Sequence, residues 1–156
     1  MAQPRPIAYA GFSIGVSAAS PATLNAAGFA ALTYSNVGNI ENIGGFGRVY
    51  ELVTLKTLDT RGTQKIKGSF DSGNLDLKIA NTTTDAGLTI LKSESTTDNL
   101  VSVKITTSTG DITYCQALVM GTPRSGGSLD DIDFIDINLA ITVGAGGIDF
   151  VFVPFV

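Results

Sequence analysis

The side chains best able to do chemistry sit in one acidic run. "DDIDFID" holds Asp130, Asp131, Asp133 and Asp136. A calcium loop needs several oxygen ligands on a tight turn with its own glycine, at a spacing this run does not have. On a strand, Asp131 and Asp133 would share one side and Asp136 would take the other, because side chains alternate. The run therefore reads as a solvated acidic stretch that begins a strand. The chain has no histidine, which removes most acid–base and nucleophilic arrangements. "GGFG" lacks both the GxGxxG spacing and the lysine-serine ending of a phosphate loop, and reads as a flexible interaction loop. Cys115 is the only cysteine and reads as a small buried apolar residue. Lys65 and Lys67 share a strand face, read as a wet one. The expectation is no enzyme, no cofactor and no metal.

The elements that would carry these residues are mostly strands, since apolar residues recur every second position. In "LVSVKITTSTGDITYCQALVMG", Val101, Val103 and Ile105 alternate with polar residues, "STGD" turns the chain, and Ile112, Tyr114, Gln116, Leu118 and Met120 return. "IDINLAITV" puts Ile135, Ile137, Leu139, Ile141 and Val143 on a dry face, with Asp136, Asn138, Ala140 and Thr142 on a wet one. "NLDLKIAN" does the same with Leu75, Leu77 and Ile79 against Asp76 and Lys78. "GFSIGVSA", "RVYELVTLKTL" and "TQKIKGSF" are further strands, the last two joined by the turn-rich "DTRGT". One helix is expected in "TTTDAGLTILKSES", with Thr84 as cap, Asp85 in the first turn, and Leu88 and Leu91 buried. A second, short one could run from Pro21 to Ala27 behind Ser20.

Composition suits one domain, 1–156, with much covered surface. The chain is 44% hydrophobic but only 15% charged, against the usual ~25%. Its net charge of −4 comes without a basic patch of the kind a dedicated nucleic-acid binder presents. The end, "DFVFVPFV", is a strip of apolar residues too short to span a membrane. No membrane insertion is expected.

The order of motifs from about residue 10 to 143 resembles the tail tube protein, or major tail protein, of long-tailed bacteriophages. An aromatic-containing strand runs into "IGGFG"; a strand and "LDT" follow; then come "QKIKG", "DSG" before an alternating strand, and the helix "DAGLTIL". The resemblance implies a mainly β fold, a sandwich or barrel-like subunit with one flanking α-helix, whose inner sheet joins those of its neighbours. Six subunits would form a ring, and stacked rings a hollow tube, in the virion tail. Partners would be further copies, a tape measure protein and terminator or tip proteins, with double-stranded DNA passing through without specific binding. The motif style favours a non-contractile tail. A tail terminator or connector ring of the same fold is the alternative, and a carbohydrate-binding β-domain a more distant one.

On that basis 1–11 is expected to be an N-terminal arm and 144–156 an apolar docking segment reaching a neighbour through Phe150, Phe152 and Phe155, the alternative being the subunit's own last strand with Pro154 at its edge. Segment 42–61 is expected to be an inter-ring hairpin that uses Gly44, Gly45, Phe46, Gly47, Val49, Tyr50, Leu52 and Val53. Asp136, Asn138, Thr142 and Asp76 are candidates to face the lumen, where polar and acidic walls would hold DNA only weakly.

Overall fold

The computed structural model describes residues 4–156; residues 1–3, the start of the expected arm, lie outside it. In chain order the elements are β1 (Ser13–Ser17), α1 (Ala26–Ala30), β2 (Ser35–Val37), β3 (Ile40–Ile43), β4 (Val49–Leu55), β5 (Gln64–Asp71), β6 (Asn74–Ala80), α2 (Ala86–Glu94), β7 (Leu100–Thr106), β8 (Ile112–Gly121), β9 (Phe134–Thr142) and β10 (Phe150–Val153). Eight strands form one antiparallel sheet in the order β2-β1-β7-β8-β9-β6-β3, with β10 also paired to β8. β4 and β5 pair only with each other.

The sheet is open, which corrects the expectation of a sandwich or barrel-like subunit. β2 and β3 are its two edges, yet only Gly38 and Asn39 separate them in the chain. So short a connection spans roughly 11 Å at most, which forces the sheet to curl until its edges almost meet at that corner. They do not pair with each other, and α2 packs beside that corner against β2 and β1. The Asp85 carboxylate accepts the Gly38 N–H at 2.6 Å, and the Lys92 ammonium donates to the Asn81 side chain at 2.8 Å beyond β6. Asn39 makes the corner with φ of 55°, a left-handed conformation that asparagine tolerates better than most residues.

The inside of the curl is one apolar cluster. Leu75, Leu77 and Ile79 of β6 and Ile135, Ile137, Leu139 and Ile141 of β9 lie in it as their alternation demands, with Leu88 and Leu91 of α2 closing it. Val143 stays exposed at the end of its row. On β8 the register with β7 decides which side is buried, and it buries Cys115 as expected. Val103 lies opposite Cys115, and Val101 opposite Ala117; paired residues point the same way, so Cys115, Ala117 and Val119 enter the core. Small side chains fit there because valines and isoleucines fill the space opposite. Burial pushes the Cys115 thiol up to about 12. Tyr114 takes the other face, stacked 5.3 Å from Phe29 of α1.

Two helices are present, where the resemblance implied one and the residues allowed a short second, and both caps differ from expectation. Asp85, not Thr84, caps α2 by accepting the Leu88 N–H. Asn25, not Ser20, caps α1 by accepting the Gly28 N–H, so that helix starts at Ala26. A carboxylate or amide oxygen three residues before an unpaired amide satisfies it directly. Asp85→Ala should therefore cost about 1–2 kcal/mol in urea unfolding, since it removes the cap and the Gly38 bond together. Thr84→Ala should change little, and equal costs for the two would contradict the assignment.

Candidate assembly interface

β4 and β5 form a hairpin that projects from the sheet with both faces in solvent. Val49, Tyr50, Leu52, Val53, Leu55, Leu58 and Ile66 are all exposed. Cross-strand pairs sort the two sides. Val53 lies opposite Ile66, while Leu52 and Thr54 lie opposite Lys67 and Lys65. One side is thus apolar (Val53, Leu55, Ile66) and the other carries lysines. The Lys67 ammonium sits 4.8 Å from the Tyr50 ring.

The hairpin covers Val49 to Asp71, so its second arm runs past the expected end at Arg61, and Asn42 and Ile43 belong to β3. Not all of the glycine loop projects. The Gly44 N–H donates to the Asp76 carbonyl at 2.7 Å. Phe46 packs against the core with its ring 6.0 Å from that of Phe150. Gly45 and Gly47 face open space.

One buried carboxylate roots the hairpin. Asp149 is 4% exposed, and every bond it makes leads to the hairpin root or to β10. The Arg48 guanidinium engages both of its oxygens, with Nε at 3.0 Å from Oδ2. The Ser72 hydroxyl donates to Oδ2 at 2.7 Å and the Phe150 N–H to Oδ1 at 2.8 Å. Arg48 also donates to the Tyr50 hydroxyl at 2.9 Å and sits over the Phe70 ring, 4.0 Å from its centroid. These bonds, those to Arg48 foremost, hold the Asp149 carboxyl far below the usual carboxylate range, and they raise Arg48. Sequence reasoning missed this group. Its only signal was a lone aspartate inside an otherwise apolar terminus, and an arginine next to a glycine loop.

The apolar end is a strand of the subunit's own sheet. β10 pairs with Ile112 to Cys115 of β8, which corrects the expectation that the whole segment reaches a neighbour. It continues the line of β9 along the same edge of β8, after the chain leaves and returns through Gly146 and Gly147, both with φ near 75°. Phe150 is half-buried, whereas Phe152 and Phe155 remain exposed. The Phe155 N–H donates to Asp111 at 2.7 Å.

Of the lumen candidates, three come together and one stands apart. Asp76 and Asn138 face each other across β6 and β9 and are hydrogen-bonded. With Asp136, Asn42, Lys78 and Pro123 they line a groove of about 520 Å³. Thr142 lies at the far end of β9, opposite Gln116. Asp131 caps the Ser128 turn before β9, outside any strand. Among the described residues no group of three His, Cys, Asp or Glu side chains could hold a metal, and no helix is long and apolar enough to cross a membrane.

A solved structure corresponds to this arrangement from end to end. It is the sheath/tube terminator, in the extended state, of PVC, an extracellular contractile injection system, with a TM-score of 0.64. The likeness is one of fold. The similarity covers 98% of this chain and 100% of that one at 12% identity. The matched chain is a terminator from a contractile system, where the motif order pointed to a tube protein and a non-contractile tail. No family model and no curated protein matches the sequence.

Asp149→Asn should lower unfolding stability at pH 7 by about 2–4 kcal/mol, a range reduced for the one-third exposure of Arg48. Because folding depresses the carboxyl, its contribution is complete above the ordinary carboxylate pKa and fades as pH falls below about 4. Wild-type protein should therefore lose more stability between pH 5 and 2 than the variant does. Parallel stability–pH curves would contradict the role of Asp149.

Proposed function

We propose that the protein is a ring-forming structural subunit that closes the end of the tube in a phage-like tail or injection apparatus. The observation that carries this reading is the correspondence of the whole chain with a sheath/tube terminator. The surface is in keeping with it. An exposed patch that includes Val53, Leu55 and Ile66 on a lone subunit marks a protein contact. A head-to-tail contact that closes on itself gives a ring. Partners would be further copies of the chain and the tube and sheath components at that end. Phe152 and Phe155 would add contacts to a neighbour beside the hairpin. The role is mechanical, with no reaction to catalyse.

A second reading, a tube subunit that repeats along the axis, keeps the support of the motif order from 10 to 143. Electron microscopy of the purified protein separates the two. Single rings that do not stack, and that bind the end of a preformed tube, are expected. Long tubes of this protein alone would favour the second reading, and monomers at all concentrations would refute both. Val53→Asp with Ile66→Asp should leave the circular dichroism spectrum unchanged and abolish rings.

A further inference from the structure

The hairpin carries a charge pattern that the rest of the subunit mirrors. Four of the chain's ten cations, Lys56, Arg61, Lys65 and Lys67, lie between Val49 and Phe70. None of them makes an ion pair among the described residues. Lys65 and Lys67 share the side opposite the apolar one. The hairpin does not fold back on its own body, since each of its strands pairs only with the other.

The groove between β3, β6 and β9 has the opposite sign. Lys78 is taken up by Glu41 at 2.9 Å and by the Phe134 ring at 4.4 Å. Asp76 and Asp136 have only neutral partners, Asn138 and the Ser125 hydroxyl. Both carboxylates are exposed. The two faces thus hold unpaired charges of opposite sign on an otherwise sparsely charged chain.

We infer that the lysine side of the β4–β5 hairpin docks on the Asp76–Asp136 groove of a second copy, which makes the contact head-to-tail. This rests on the ring-subunit reading and specifies its junction. Complementary potentials select the partner and register more than they add affinity, and the neighbouring apolar side of the hairpin supplies buried area. The acidic wall is then covered by a neighbour and does not line an open channel.

The test uses two full-length variants, Lys65→Glu with Lys67→Glu, and Asp76→Lys with Asp136→Lys. All four positions are exposed, so spectra and melting should match wild type. In sedimentation each variant alone should associate at least tenfold more weakly than wild type. An equimolar mixture should recover assembly, because every junction between unlike chains pairs opposite signs. Recovery should weaken with added salt. Variants that assemble like wild type, or a mixture that stays apart, would overturn the inference while leaving rings of the wild type intact. Wild-type assembly with loss of duplex DNA binding in the lysine variant would assign that side to nucleic acid instead. If the wild type forms no rings, the ring reading itself fails. Zero-length cross-links between isotopically distinct copies then decide the junction: Lys65 or Lys67 joined to Asp76 or Asp136 supports it, and their absence overturns it.

Discussion

The position of the hairpin depends on one buried carboxylate. β4 and β5 share no ladder with the main sheet, and their side chains gain little burial on the subunit. The direction in which they point is therefore set at the root, where Arg48, Ser72 and the Phe150 amide converge on Asp149. A buried ion pair is a weak source of net stability, because desolvation offsets most of the attraction. It is a strong source of geometry, because any other placement leaves a charge unpaired in a dry site. The bidentate arginine, also held over the Phe70 ring, allows few orientations. The same carboxylate starts β10, so the hairpin and the terminal strand are fixed relative to each other.

The curled sheet explains why a separate hairpin exists at all. Two residues carry the chain from one edge strand to the other, and α2 packs beside that corner against β2 and β1. The core is then complete without β4 and β5. β3, β2 and the outer side of β10 remain unpaired edges among the described residues. Free edges invite pairing with other chains unless they are short or covered. Here they are three or four residues long, too short to act as a broad template. The long unpartnered ladder is the hairpin, and that is where an assembly contact gains most from burial.

Much of this was legible in the sequence where one force dominated. Strict alternation in "NLDLKIA" and "IDINLAIT" fixed both strands and their buried faces, since a one-residue slip would expose every isoleucine. The hairpin at "STGD" followed from its turn. On β8 the local alternation left the buried side open, because both of its faces carry apolar residues. What decided the facing was the register with β7, a nonlocal fact. The Asp149 site was invisible for the same reason: Arg48 and Asp149 are far apart in sequence, and only the fold brings them together. The openness of the sheet is likewise a matter of strand order across the whole chain, which no local pattern encodes.

The central claim is that the β4–β5 hairpin, held out by Arg48 and Asp149, is the surface buried when subunits assemble. Amide hydrogen exchange on the free subunit and on the assembled particle tests it most directly. The account predicts that amides of Val49 to Asp71 exchange quickly in the free subunit and slow by at least a hundredfold on assembly, while those of β6, β7 and β9 are protected in both states. Equal exchange of the hairpin amides in the two states would contradict it.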